Sequence, residues 1–524
     1  MSTTHIVETV FGNVRGADVD GVQVFKGIRY GADPGGNGRF LPPTPPEPWP
    51  GVQNALEPGP MAIQPPSTDE TYNEVFAGLV PLPPIETSED CLFLNVWTPG
   101  TSGRRPVMVW LHAGGWKAWG GYSAWCDGER LARRQDVVVV SINHRLNVFG
   151  HLYVADMGGA EYADSGSAGL LDLVLALRWI RDNIAAFGGD PDNVTLFGEG
   201  GGAPKVSALL AMPPAKGLIH KAIVQTNPLL RTATVKDSLA MTAKFCEHLG
   251  GADLAALRTL PAATLLQAAV ETGADDFLFP TAAGQALPSH PFDPVAPDVS
   301  SDVPMMIGTT VDEAAYFLAI ADQRPLTDDA SLERLLVGCL EHWGVDDDEA
   351  ARMIEAYRRL HPKHSLRECF VGIGTQVWRD DALIQAERKM AQGGASVFMY
   401  LFRWRSPAFG GRHGACHTFE VPFVFDNLHA APQLLGDEAD RALLQNLADN
   451  MSRAWASFAR TGDPSHPDIG DWAPYEPKTR PTMVFGVESG QELDPQSAER
   501  KAFLEFRTMR LAKAAKRHIG FGRR

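Results

Sequence analysis

Gly198-Glu199-Gly200-Gly201-Gly202 is the stretch of this chain whose residue types and spacing point most directly to chemistry. It follows the apolar run Val194-Thr195-Leu196-Phe197 and precedes Ala203-Pro204-Lys205-Val206, so it reads as a strand, a sharp turn and a helix start. That is the setting of the G-x-S-x-G nucleophile elbow, in which a strained turn presents a serine hydroxyl above a sheet edge. Here the central position is Gly200, and a glycine has no oxygen with which to attack a carbonyl. A second glycine turn, His112-Ala113-Gly114-Gly115-Trp116, follows the apolar run 107–111. Glycines there let backbone N–H groups approach a developing oxyanion without interference from Cβ atoms. Together the two turns outline a setting for acyl chemistry without its attacking atom.

Strands and helices able to position these turns alternate along the chain. The runs 107–111 and 137–140 are continuously apolar, as expected of strands buried on both faces. Leu170, Leu173, Val174, Leu177, Ile180 and Ile184 fall at helical spacing within 168–187, and Gly188-Gly189 stops that helix. Further strands are predicted at 194–197, 222–225, 305–308 and 397–402. A helix starts near 203, where Pro204 suits a first turn. A long helix over 441–460 ends before Thr461-Gly462-Asp463-Pro464. This alternation predicts an α/β fold: a mostly parallel sheet with helices on both faces. Residues 1–100, rich in proline and glycine, predict a small antiparallel meander and irregular loops. Segments 230–300 and 320–390 are helical and polar, and are expected to be insertions covering one end of the sheet. No internal repeat or low-complexity segment interrupts a single domain over 1–524.

Composition narrows the partners. The chain has 524 residues, 44% of them hydrophobic, and a net charge of −16. That balance argues against nucleic acids and anionic membranes as partners. Lys513, Lys516 and Arg517 read as a solvated helix end. The N-terminus shows no basic-then-apolar leader and no run of about 18 apolar residues occurs, so neither export nor a membrane span is expected. The six cysteines form no CxxC pair, which suggests reduced thiols, a cytoplasmic location and no metal site. No nucleotide motif appears, and no cofactor is expected.

Three more stretches join the elbow in resembling one family. They are Gly21-Val22-Gln23-Val24-Phe25-Lys26-Gly27-Ile28-Arg29-Tyr30, Ser88-Glu89-Asp90-Cys91-Leu92-Phe93-Leu94-Asn95-Val96-Trp97 and Asn143-His144-Arg145-Leu146-Asn147-Val148-Phe149-Gly150. With them the chain resembles the type-B carboxylesterases, which include the cholinesterases, from about residue 6 to residue 510. The resemblance implies an α/β-hydrolase fold with helical lid insertions. It also implies a Ser–Glu–His triad, whose acid is matched by Glu313 in Gly308-Thr309-Thr310-Val311-Asp312-Glu313. The matching histidine is His417, ahead of Glu420-Val421-Pro422-Phe423-Val424-Phe425, with His413 a loop residue nearby. Gly200 stands at the nucleophile position, and the oxyanion donors implied are the N–H groups of Gly114, Gly115 and Gly201. The order elbow, Glu, His suits this fold. Departures cluster in the same site: Gly200 for serine, Ala113 for glycine, and Thr226-Asn227 after Gln225 where the family has Ser-Gly.

Trp116, Trp119, Tyr122 and Trp125 crowd the oxyanion loop, and Phe279, Phe317 and Trp378 lie in the expected lid regions. A pocket lined by Trp116, Trp119, Tyr122, Phe317 and Trp378 would suit a small hydrophobic ester or carbonyl compound. Three functions stay open. His417 and Glu313 can serve as an acid/base pair in elimination, isomerisation or cyclisation. The chain can be a carboxylic ester hydrolase inactivated by a Ser-to-Gly change at 200. Or it can be a binding protein like the neuroligins, cholinesterase-like proteins with glycine at that place. Clustered departures and retained base, acid and donors favour the first. Ordinary ester turnover is expected to be very weak, since serine proteases lacking a triad member keep only about 10³–10⁴-fold catalysis over water. Ser123 and Cys126 are the alternative nucleophiles within reach in sequence.

Overall fold

The apolar runs form the middle of a 13-stranded sheet in the computed structural model of the chain, which describes residues 4–65, 86–274, 278–320, 325–436 and 440–516. An antiparallel meander opens it: β1 (Thr4–Thr9), β2 (Gly12–Val19) and β3 (Val22–Arg29), with β4 (Val52–Asn54) parallel to β2. The body follows as β5 (Phe93–Thr98), β6 (Arg105–Leu111), β7 (Val138–Ile142), β8 (Gly189–Glu199) and β9 (Lys221–Gln225). It continues with β10 (Met305–Thr310), β11 (Val397–Phe402), β12 (Pro481–Phe485) and β13 (Gly490–Leu493). Apart from β4, the spatial order is β1-β2-β3-β5-β7-β6-β8-β9-β10-β11-β12-β13. Every pairing from β7 to β12 in that order is parallel. All residues of β7, β10 and β11 are buried, as sheets covered on both faces require.

Helices cover both faces, and each face has its own core. One contains Leu170, Leu173, Leu177 and Ile180 of the helix Ala168–Asn183 against Val107, Val109, Val138 and Val140. The other packs Leu447, Met451, Trp455 and Phe458 of the helix Arg441–Thr461 against Met108, Trp110, Phe197 and Ile223. Asp440 caps that second helix by accepting from the N–H groups of Ala442 and Leu443, and Gly462 ends it in a left-handed conformation.

The segment 230–300 differs from the helical insertion expected. Its helices Val235–His248, Leu254–Thr259 and Ala262–Thr272 stop there, and from 278 the chain runs mainly as loops. Pro280, Pro288, Pro291, Pro294 and Pro297 explain the change, because proline denies a helix its N–H donors and disfavours helical backbone before it. The segment 320–390 is helical over Asp329–Leu340, Asp347–Leu360 and Leu366–Ala391, which bury a core of their own around Leu332, Met353, Phe370 and Ile373. Among the described residues no helix is long and apolar enough to cross a membrane, and no disulfide forms.

Strand register sets the site. Leu111 of β6 faces Gly198 of β8, Glu199 faces Gln225 of β9, and Gln225 faces Gly308 of β10. Four carboxyl ends therefore align at one edge of the sheet, where ligands of open α/β sheets bind.

Candidate active site

At the end of β8 the backbone turns through Gly200 at φ +56°, the left-handed region an elbow requires. Its N–H donates to Gln225 O at 3.2 Å, which ties the turn to the neighbouring strand. The helix Gly202–Leu209 starts at once, close against the sheet: a Cβ at 202 would lie 2.0 Å from Leu111 O. A side chain there would block the close approach of helix and β6.

The residue matched to the triad base comes to this turn. His417 is 7% exposed, and a Cβ built on Gly200 would lie 2.9 Å from its Nε2. Its other ring nitrogen, Nδ1, hydrogen-bonds Glu313 Oε2 at 2.9 Å. Glu313 follows β10 and also accepts from the Thr310 N–H at 2.7 Å and from Thr226 Oγ1 at 2.6 Å. Elbow, histidine and glutamate thus meet although they are far apart in sequence.

Thr226 and Asn227 hold φ of +68° and +33°. A β-branched residue in that region is strained by about 1–3 kcal/mol. Here the strained residue delivers its hydroxyl to Glu313, so the strain sits where it orients that carboxyl group.

Two further carboxyl groups lie near His417. Glu199 is fully buried and its Oε1 lies 3.1 Å from His417 Nδ1. Burial, with Glu313 close by, pushes the Glu199 carboxyl well above the usual range. Glu420, also buried, accepts from Gln225 Nε2 at 3.3 Å, and burial beside Glu199 pushes it up in the same way. Both groups therefore favour the protonated form more than an exposed carboxyl does. Gln225 is held in turn by Trp455 Nε1, which donates to its Oε1 at 3.0 Å.

The loop 112–116 crosses above the elbow. Gly114 and Gly115 have φ of +86° and +63°, and with Gly201 they are only half-buried. None of these three N–H groups donates to another described residue. The Ala113 Cβ lies 3.6 Å from the Cβ position of residue 200, an ordinary contact that directs its methyl group into the site.

Of the aromatic residues expected to line a pocket, Trp378 meets the His417 ring edge-on at 5.1 Å, and Phe317 meets Trp378 at 5.4 Å. Tyr316, which the sequence reading missed, meets His417 at 5.3 Å. Its signal was its place three residues after Glu313. Trp119 lies against Gly114, where a Cβ would come within 2.9 Å of its ring. Trp116 has another partner: it is buried in the core with its ring edge-on to His151 at 5.1 Å. Tyr122 accepts a hydrogen bond from Lys26 Nζ at 3.0 Å. His413 is buried against Phe409, at 5.4 Å. Ser123 and Cys126 are buried, and burial pushes the Cys126 thiol up to about 12, the reverse of what a nucleophile needs. Among the described residues no group of three or more His, Cys, Asp or Glu side chains is placed to hold a metal.

The sequence model of the carboxylesterase family matches residues 3–504. The chain belongs to the carboxylesterase family. A para-nitrobenzyl esterase of Bacillus subtilis is 36% identical over 514 residues, covering 95% of this chain and 98% of that protein. A phenmedipham hydrolase of Pseudarthrobacter oxydans is 33% identical, covering 94% and 97%. The crystal structure of a Geobacillus stearothermophilus carboxylesterase superposes with a TM-score of 0.82 at 37% identity, over 95% of this chain and 99% of that one. The sheet and its flanking helices are accordingly the carboxylesterase α/β-hydrolase fold.

Proposed function

We propose that this carboxylesterase-family protein binds a small hydrophobic ester or carbonyl compound and moves protons on it without forming a covalent intermediate. The 2.9 Å between His417 Nε2 and the Cβ position of residue 200 carries the reading. The base reaches into the room a nucleophile's side chain would need, so a ligand itself can meet it. The ligand's carbonyl oxygen would rest on the N–H groups of Gly114, Gly115 and Gly201. His417 Nε2 would take a proton from the carbon beside the carbonyl. The C–H electron pair then moves onto the oxygen as an enolate, which those donors stabilise. Glu313 orients the ring and balances the imidazolium. Return of the proton to another carbon gives isomerisation. Loss of a leaving group gives elimination, and attack on a second carbonyl in the ligand gives cyclisation. The aromatic rings around His417, and a relative named for para-nitrobenzyl esters, support an aromatic ligand.

Ester hydrolysis is the second reading, favoured by relatives named as esterases. His417 would then deprotonate a water directly. One experiment separates the two. The protein is incubated in D2O with aryl ketones and arylacetate esters, and deuterium beside the carbonyl, acid release and intact protein mass are followed. Proton-transfer chemistry gives deuteration about tenfold or more above the His417→Ala protein, without acid release or an acyl adduct. Deuteration indifferent to His417→Ala, or an acyl-protein mass, would refute it. Acid release dependent on His417 without deuteration would establish the second reading.

A further inference from the structure

Lys205 is 0% exposed, five residues beyond the central glycine of the elbow. Its Nζ donates to His112 O at 3.0 Å, and no carboxylate faces it among the described residues. Burial holds its ammonium group well below the usual lysine range. The imidazoles around it are no counter-charge. His112, His144 and His151 are buried, and burial together with Lys205 itself lowers the pKa of each. His112 and His144 direct Nδ1 to the carbonyls of Ala113 and Arg145, both at 2.8 Å, which leaves each ring neutral with its proton on Nδ1. An apolar side chain of the same length would avoid the desolvation of this amine altogether. What Lys205 adds is the bond to the His112 carbonyl.

That carbonyl is the root of the oxyanion loop. The other end of the loop touches the same helix. A Cβ at Gly201 would lie 2.0 Å from Gly115 N and 2.5 Å from Gly115 Cα. Gly201 is the N-cap of the helix Gly202–Leu209. Residues 201 and 205 are one turn apart, so they present one face. That face meets the loop at 112 and at 115, with the peptides of Ala113 and Gly114 spanning the two contacts.

We propose that Lys205 is a positioning residue of the oxyanion loop. It tethers the His112 carbonyl from beneath while Gly201 seats Gly115, which keeps the N–H groups of Gly114 and Gly115 converged with that of Gly201. The tether stands on geometry; its catalytic consequence rests on the proposed role of those N–H groups.

The test replaces Lys205 with methionine, which keeps length and removes the donor. Amide hydrogen exchange of peptides spanning 112–119 is read by mass spectrometry. In Lys205→Met the loop exchanges about tenfold faster or more, while peptides from the helix Arg441–Thr461 are unchanged. The melting temperature stays level or rises, because the desolvation of a buried amine has gone, and Lys205→Arg restores slow exchange. Unchanged loop exchange in the folded variant overturns the proposal. Should Lys205→Met not fold, Lys205→Leu is read in the same way; if neither folds, Lys205 is a core residue and the proposal is wrong. In a Gly200→Ser background, Lys205→Met lowers kcat for 4-nitrophenyl butyrate by about tenfold or more with KM nearly constant. An inactive Gly200→Ser protein would refute the assigned site, while the exchange measurement would still decide the tether.

Discussion

At position 200 the backbone takes the left-handed turn of an elbow and carries no side chain. Glycine takes φ +56° freely, whereas serine there is strained by about 1–2 kcal/mol. A serine Cβ would also come within 2.9 Å of His417 Nε2, so the ring must withdraw. It is not free to do so easily, because Nδ1 lies 2.9 Å from Glu313 and 3.1 Å from Glu199. Gly200→Ser is therefore expected to gain hydrolysis of 4-nitrophenyl butyrate by about a hundredfold. That falls well short of the roughly 10⁶-fold a complete triad supplies. It should also lose about 1–2 kcal/mol of stability in urea titration. A folded Gly200→Ser protein as inactive as the starting chain would show that Glu313, His417 and residue 200 are not a triad.

Among the elements, the elbow helix is fitted to the sheet by absent side chains. Gly202→Ala would press a methyl group to 2.0 Å from Leu111 O, a backbone atom held in β6. The expected loss is about 3 kcal/mol, or insoluble protein, measured by denaturation. Stability within about 0.5 kcal/mol of the parent would mean that helix and strand are not in this close contact. This part of the site was legible in the sequence, because a glycine turn between an apolar strand and a helix start is a local signal. His417 and Glu313 could be placed only by matching motifs, since nothing local marks either residue. Glu199 was plain in the elbow motif, but its approach to His417 depends on a segment far along the chain. Lys205 was legible only as a helix residue; its burial follows from the close packing of that helix on β6. The aromatic residues were the least readable. Trp116 and Trp378 are alike in a sequence and both are buried, and only packing sets one against His151 and the other against His417.

For the whole molecule, buried imidazoles make acid the weak direction. His151 is held down to about 3 by burial, so between pH 6.5 and 3 the unfolded chain takes up a proton that the folded one refuses. The His151 contribution to stability falls as pH falls through that window. His112 and His144, also lowered by burial, act in the same direction. Glu199 and Glu420 act oppositely: with raised folded values they hold protons that the unfolded chain releases above about 4.5, so their contribution shrinks as pH rises. Replacing His151 by phenylalanine should lessen the stability lost between pH 6.5 and 5 by about 2 kcal/mol. Parallel losses in parent and variant, compared by urea titration, would mean that His151 is protonated in the folded protein.

The aligned ends of β6, β8, β9 and β10 have one more consequence. The loop 112–116, the elbow, Glu313 and His417 are contributed by chain segments that meet only when long connections have closed, and closing long loops costs entropy. A one-residue slip of β8 would also turn its side chains to the opposite face. A portion of the sheet that lacks any one of these strands is therefore expected to lose the site as a whole, because each strand end carries a different part of it.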